Sequence, residues 1–418
     1  MGYRYRLTPT PEQERVLLEH CSHARYMWNL AWNLYQFGTL ETYGRASRRK
    51  DRNGNEYTHQ KRRPVRPLPR FAEQCRMLTE ARAEYEWLAA GSVIVQQAAL
   101  RDFSQAMQNF YAGTHGRPQR RKRDLNEGFR VTGDRGGWGG RWDVRRLSRR
   151  VGEDYVPKLG WVRFRWSRAV PDDAKSYRVT LDRSGRWHVG FTGSPKVIEG
   201  PGTGEVVGID RGVVVSAALS TGELLHAPRP SARERKKQRH LEHKMARAKR
   251  GSNRRVRVRL AAARLRARDK DRRKDWAEKL STDIARRFDV IRVEDLKVAN
   301  MTRSARGTAE EPGRNVRRKT AVNRGIMQSG WGLLVRRLEE KAPARVEKIK
   351  PAYTSQRCSA CGHVDGKSRE SQARFVCTAC GFTLNADVNA AINIAAGHAV
   401  TARGGSRLEP VNREPKAA

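Results

Sequence analysis

Four cysteines crowded into 23 residues, Cys358, Cys361, Cys377 and Cys380, constrain this chain more tightly than any other feature of its sequence. They fall as C-x2-C, a gap of fifteen residues, and C-x2-C, in "CSACG" and "CTACG". Each pair suits a knuckle turn whose glycine, Gly362 or Gly381, can take a positive φ, so that two short loops converge on one tetrahedral Zn2+. Four thiolates close the coordination sphere and leave no place for a reactive water, so the metal's role is structural. The opening "MGYRYRLTPTPEQ" lacks the apolar core of a secretion signal. In a reducing cytosol, clustered cysteines hold metal rather than form disulfides. Cys21 and Cys75 lie among helical apolar positions and read as buried thiols.

The 418 residues allow two or three domains of about 100 to 200 residues each, which excludes a small stapled scaffold. Lys and Arg number 86 against 44 Asp and Glu, a net charge of +42. Such an excess repels itself in a compact fold unless a polyanion neutralises it, and nucleic acid is the natural counter-ion. An anionic membrane surface is the rival, but no apolar run reaches the roughly 18 residues of a span.

Alternation in "YRYRLTPT" predicts a strand. A helix follows, capped by Thr10 with Pro11 at its first position, and Val16, Leu17, Tyr26, Met27, Leu30 and Leu34 recur at helical spacing. The basic segment "GRASRRKDRNGNEYTHQKRRPVRP" reads as loop or as an RNA-facing arm, and helical pattern resumes from Pro69 to Tyr111. From Gly116 the texture becomes short alternating runs, "GWVRFRWS" and "SYRVTLDRSGRWHVGFTGS", as in a small antiparallel barrel. Phe164, Trp166, Trp187 and Phe191 suit its core, with base stacking as the alternative. Residues 205–225 read as a strand hairpin. Residues 233–274 then hold twenty Lys or Arg against four acids, a helical segment that phosphate contact would relieve.

Three acids interrupt otherwise apolar sequence. Asp210 stands mid-strand in "VVGIDRGVVVSAAL", Glu294 ends the strand of "DVIRVEDLKV", and Asp387 begins the small-residue helix of "LNADVNAAINIAAGHA", expected to pack through Val388, Ala391, Ile392 and Ala395. A further strand, "RVEKIKPAYTS", follows an amphipathic segment, "GWGLLVRRLEEKA". A buried carboxylate is costly unless it is paired or binds metal. In this order the elements suggest a sheet that brings three hard oxygen donors to one point, a site for Mg2+. Two such ions about 3.5 to 4 Å apart would serve hydrolysis of a phosphodiester.

On these motifs the sequence resembles the TnpB nucleases encoded by bacterial insertion sequences, relatives of the type V CRISPR effectors. "GIDRGV" is similar to the first RuvC motif of that family, "RVEDLKV" to the second and "ADVNAAINI" to the third. "YTSQRCSACGH" with "FVCTACG" resembles its zinc-bearing target-nucleic-acid-binding insert, and "YRYRLTPTPEQ" and "GRPQRRKR" resemble its N-terminal and barrel segments. The resemblance implies an α+β multidomain chain with a first wedge strand at 1–10, a helical recognition lobe at 11–115 and a small antiparallel β-barrel wedge domain at 116–200. An RNase H-like RuvC domain would occupy 201–354, including the basic helices of 233–274, with a zinc-ribbon insert at 355–383, a closing RuvC helix at 384–398 and a disordered tail at 399–418.

It further implies a Mg2+-dependent, RNA-guided DNA endonuclease of the prokaryotic cytosol. Two Mg2+ would sit on Asp210, Glu294 and Asp387 and one structural Zn2+ on the four cysteines, with guide RNA and double- and single-stranded target DNA as partners. Arg369, in "KSRESQARFVC", is similar in placement to an arginine the family keeps beside the scissile phosphate. Gln96 and Gln97 match a segment near the flanking DNA motif that the family reads, and glutamine suits adenine edges. Arg254, Arg255 and Arg257 are candidate phosphate contacts within the basic segment. Two positions depart from the pattern: Glu278 and Asn385 stand where the family commonly has histidine. Three other readings stay open: a miniature type V CRISPR effector, a non-catalytic zinc-ribbon regulator and a basic rRNA-associated protein. The last two give the three embedded acids no task.

Overall fold

The structure, a computed structural model, describes residues 2–37, 40–50, 56–64, 69–133, 143–308 and 310–397, so the tail expected at 399–418 lies outside the described residues. Two compact units emerge, residues 1–194 with 259–264, and 195–258 with 265 onward.

In the first unit, β1 (Gly2–Arg6) alternates as its sequence requires, with Tyr3 and Tyr5 inward and Arg4 and Arg6 outward. Thr10 and Gln13 cap α1 (Pro11–Phe37) reciprocally, each side-chain oxygen accepting the other's backbone N–H. The buried face of α1 is Leu17, Cys21, Ala24, Met27 and Ala31, whereas Tyr26 and Leu30 are exposed. The expected stripe was therefore rotated by part of a turn. The segment expected as loop or as an RNA-facing arm contributes to an antiparallel ribbon, β2 (Leu40–Lys50) with β3 (Glu56–Pro64), whose register shifts between Tyr43 and Ser47. That shift breaks the period of two that would have marked strands. Three helices follow, α2 (Phe71–Glu84), α3 (Glu86–Ala90) and α4 (Val93–Tyr111).

Strand structure then resumes with β4 (Gly128–Thr132), β5 (Val144–Arg146), β6 (Val151–Val156), β7 (Gly160–Arg165), β8 (Ser176–Leu181) and β9 (Trp187–Thr192). They make a four-stranded sheet in the order β1-β9-β8-β4 and a three-stranded sheet β5-β6-β7. The two meet just after β1, where Leu7 N–H donates to Trp187 O at 3.0 Å and Thr8 N–H to Arg163 O at 2.8 Å. Tyr5 packs edge-on against Phe164 and Phe191, with ring centres 5.2 and 5.6 Å apart, and both sheets share one core with α1 and α4. Phe164, Trp187 and Phe191 are buried and Trp166 stacks on Phe164, so these aromatics are core rather than base platforms.

The second unit is built on a five-stranded sheet of β10 (Val206–Asp210), β11 (Ala217–Leu219), β12 (Leu224–Leu225), β13 (Val290–Glu294) and β14 (Val346–Ile349), in the order β12-β11-β10-β13-β14. β10 runs antiparallel to β11 and parallel to β13, and β13 runs parallel to β14. Asp210 ends β10 rather than sitting mid-strand, because at Gly212 the backbone folds so tightly that a Cβ would lie 2.7 Å from Val215 O. Between β12 and β13 run the basic helices α5 (Ala232–Arg247) and α6 (Asn253–Arg287). Between β13 and β14 lie α7 (Val298–Met301), α8 (Val316–Ser329) and α9 (Trp331–Lys341). Val207, Ile209, Ile291 and Val293 form one core with Ile284 and Phe288, at and just past the end of α6, and with Leu334 and Leu338 of α9.

The opposite face of β10, by the two-residue period, carries Gly208 and Asp210. Here lies α10 (Ala386–Ala396), which follows the short hairpin β15 (Arg374–Val376) and β16 (Thr383–Asn385). A Cβ built on Gly208 would stand 2.0 Å from Ala391 O and 2.4 Å from Ala395 N, so only glycine admits the helix at this distance. Arg292, opposite Gly208 on β13, donates to Ala395 O and holds the helix's far end. Gly208→Ala is therefore expected to destabilise this unit by about 3 kcal/mol, seen as a lower midpoint in urea unfolding, because backbone atoms cannot yield as a side chain would.

Candidate active site and thiolate cluster

Position along each element decides which side chains meet. Asp210 and Glu294 close the neighbouring parallel strands β10 and β13, and Asp387 stands in the first turn of α10 where that helix begins its path across the sheet. Asn385 fixes the start of the helix, its Oδ1 accepting from the N–H of Asp387 at 3.0 Å and of Val388 at 3.2 Å. The asparagine that departs from the family pattern is thus an N-cap.

The three acids form one electrostatic group. Glu294 and Asp387 are buried and Asp210 partly so. Burial, joined by the charges of Glu294 and Asp387, pushes the Asp210 carboxyl up to about 7 against the opposing influence of Arg369. Burial also raises Glu294, opposed by a hydrogen bond from Thr354 and by the charges of Arg211 and Arg369. Thr354 Oγ1 donates to Glu294 Oε1 at 2.7 Å. Arg211, 7 % exposed, donates to the Glu294 carbonyl. Arg369 Nη2 lies 2.9 Å from Asp387 Oδ1, so the arginine singled out in the sequence reaches the acidic group directly. A carboxyl raised by burial and by two neighbouring acids sits in a hard-oxygen site short of positive charge, which is the environment a divalent cation fits.

The thiolate cluster adjoins this group through the chain. Cys358, Cys361, Cys377 and Cys380 bring their sulfurs within 4.8 Å of one another, and among the described residues they are the group of metal-ligating side chains drawn that close. Sγ of Cys358 lies 3.8 Å from that of Cys380, and Cys361 3.6 Å from Cys377. A tetrahedral ion with bonds of about 2.3 Å separates its sulfurs by about 3.8 Å, so the cluster fits zinc. Both knuckle glycines take positive φ, +77° at Gly362 and +73° at Gly381. Burial pushes the Cys361 thiol up to about 12. Cys377 is raised by burial too, but the N–H groups of Cys380 and Ala379 overcome this and lower it to about 6, toward the thiolate that a metal requires.

Other candidates fare differently. Gln96 is 0 % exposed, and its amide accepts from Arg82 at 2.6 Å and donates to Leu88 O at 2.9 Å. It staples the turn between α3 and α4 and has no free edge for a base, which corrects the sequence expectation; Gln97 beside it is partly exposed. Arg254 and Arg257 are exposed on α6, but Arg255 donates to Met245 O and Ala248 O at 2.6 and 2.9 Å and closes the end of α5. A basic cleft of about 590 Å3 includes Lys236, Arg239, Lys244, Arg247 and Arg254 in its lining. Glu278, the other departure, pairs with Arg337 at 2.8 Å and Lys341 at 3.1 Å. Cys21 is core, its thiol pushed up to about 12 by burial. Sequence reasoning missed Arg211, Thr354, Asn389 and Asn393. Only the asparagines carried a signal, two amides four residues apart in an apolar helix.

Comparison with known proteins adds an independent line. Family models match a "Helix-turn-helix domain" of OrfB IS605 type over residues 1–36, the OrfB IS605 "Probable transposase" over 188–305, and a "Cas12f1-like, TNB domain" over 331–394. In this structure residues 2–36 form β1 and a single continuous helix. The chain is 32 % identical over 425 residues to a protein of Escherichia coli (strain K12) named "Putative RNA-guided DNA endonuclease InsQ", covering 99 % of this chain and 97 % of that one. It is 29 % identical over 415 residues to a "Putative RNA-guided DNA endonuclease" of Streptomyces pristinaespiralis, covering 96 % and 90 %. A "CRISPR-associated endodeoxyribonuclease Cas12f1" of Sulfoacidibacillus thermotolerans is 59 % identical over 56 residues, 13 % of each chain.

The raised carboxyl gives this site a pH signature. Between about pH 4 and 7 the folded protein keeps a proton on Asp210 that the unfolded chain has lost, so the native state binds more protons and stability falls as pH rises through this window. Free of divalent cations, the wild type should lose about 2 to 4 kcal/mol of stability from pH 5 to 8 relative to Asp210→Asn, measured as the difference between their denaturation curves.

Proposed function

The chain belongs to the TnpB family, and from that premise we propose that it is an RNA-guided DNA endonuclease of RuvC type, associated with an insertion sequence. The observation that carries the chemistry is the grouping of Asp210 and Glu294, at the C-terminal ends of the neighbouring strands β10 and β13, with Asp387 in the first turn of α10, where burial and the charges of the other two acids raise the Asp210 carboxyl to about 7. The near full-length match to an InsQ-type protein, against a Cas12f1 match confined to 13 % of the chain, favours the transposon-associated reading over a miniature CRISPR effector.

In this reading the three carboxylates hold two Mg2+. Bound there, the ions would supply water activation and stabilisation of the leaving 3′ oxygen. The protein's own residues prepare the site. Thr354 directs Glu294, Asn385 anchors the backbone of Asp387, and Arg211 clamps the end of β13 through its carbonyl. Arg369, paired with Asp387, is the cation placed to meet a phosphate once ions share that carboxylate. The four cysteines hold one structural Zn2+. The order of the five strands with α10 across them supports an RNase H-like RuvC domain, and the joined sheets of the first unit with α1 to α4 support a wedge barrel and recognition lobe. Sequence is chosen by guide pairing, and the protein contributes charge and the reading of a short flanking motif. Among the described residues no helix is long and apolar enough to cross a membrane, and the reading places the protein with nucleic acid in a prokaryotic cytosol.

Asp210→Ala separates chemistry from binding. With co-purified guide RNA, target DNA should still shift in a gel while cleavage in Mg2+ is abolished; a variant that cuts at the wild-type rate would sink the assignment. Arg254→Gln with Arg257→Gln should flatten the dependence of nucleic-acid affinity on salt by a slope of about 0.7 to 0.9 per lost phosphate contact. Arg255→Gln should instead lower the melting temperature, since its guanidinium closes α5.

A further inference from the structure

Two buried amides remain without a role in this scheme. Asn389 is 0 % exposed and Asn393 6 %, and their spacing of four residues places them on one face of α10. Burying an amide is unfavourable unless it is hydrogen-bonded, and apolar side chains would fill a helix face more readily. The bonds these two make all run to the segment that opens the zinc element. Asn389 Oδ1 accepts from Ser359 N–H at 2.9 Å, inside the first knuckle, and Asn389 Nδ2 donates to Arg357 O at 2.8 Å. Asn393 Nδ2 donates to the same carbonyl at 2.8 Å and to Thr354 O at 2.9 Å.

Thr354, 2 % exposed, is therefore tied on two sides. Its carbonyl receives Asn393, and its hydroxyl reaches Glu294. Asp387 and Asn393 lie on one rigid helix, so an unbroken path runs from Asp387 along α10 to Asn393, across to Thr354 and on to Glu294. A side branch leads through Asn389 to the loop between Cys358 and Cys361. We propose that Asn389, Asn393 and Thr354 are positioning residues, a polar clamp through which the zinc knuckle sets the placement of Glu294 relative to Asp387 and so the affinity of the carboxylates for divalent cations.

This rests on the carboxylates being the cation site, and the experiment separates the two claims. Zinc-loaded, full-length protein is titrated with Mn2+ and bound ion followed by electron paramagnetic resonance, alongside the Mg2+ concentration giving half-maximal cleavage. Thr354→Val, which keeps shape and loses the hydroxyl, should weaken Mn2+ binding and raise the Mg2+ requirement about 10-fold or more, as losses around metal ligands do. Thr354→Ser should restore both. Asn393→Ala should weaken Mn2+ in the same way and also speed zinc release to a chromogenic chelator, a change Thr354→Val should not cause. Wild-type Mn2+ affinity in Thr354→Val overturns the clamp, and should Asn393→Ala fail to fold, the threonine pair decides alone. If Asp210→Ala binds Mn2+ as the wild type does, the carboxylates are not the cation site and the underlying reading falls with the clamp.

Discussion

The close seating of α10 on β10 is the contact on which the rest of this site depends. Without a side chain at Gly208 the helix backbone descends onto the strand, and its first turn brings Asp387 into the field of Asp210 and Glu294. The gain in geometry carries an electrostatic cost, because like charges are gathered where water is partly excluded. The fold tolerates that cost by keeping a proton on Asp210 and by placing Arg369 and Arg211 against the group. With the Asp210 carboxyl raised to about 7, entry of cations favours its ionised form, so cation binding and loss of that proton are linked.

The excess of positive charge has two destinations, and they look alike in the sequence. Some arginines are internal fasteners. Arg255 closes α5, Arg345 donates to Ala285 O and Phe288 O at the end of α6, and Arg82 donates to Leu88 O, Ala89 O and Gly91 O around α3. The guanidinium suits this task because one planar group can satisfy several carbonyls that a helix leaves unpaired at its end. Others, such as Arg254 and Arg257, are exposed to solvent. Net charge thus identifies the class of partner but cannot say which arginine meets it.

The thiolate cluster and the carboxylates are separate in chemistry and continuous in structure. Phe375 and Ala386 bury themselves with Cys358 and Cys377, so the hairpin that carries the knuckles and the first residue of α10 share one small core. An element fused in this way fixes where the helix begins, and a helix that begins in a fixed place can carry a site residue at its first turn.

What the sequence determined by itself was whatever local spacing or local cost reveals. The paired cysteines announced a cluster of four converging thiols through their spacing, and the three acids stood out because a carboxylate in an apolar run needs a reason. Thr10 and Pro11 marked the start of α1 through chemistry that spans one turn. Tertiary structure decided whatever depends on facing. Gln96 lost its base-reading role because α4 turns it inward toward Arg82, while the paired strands of 40–50 and 56–64 escaped notice because their irregular register erases the alternation that betrays a strand. Asn389, Asn393 and Thr354 gained their importance only when α10 met the segment around Cys358, since hydrogen bonds across 30 to 39 residues leave no periodic trace in the chain. Spacing is written along the sequence, but which polar groups face one another is fixed only when the elements pack.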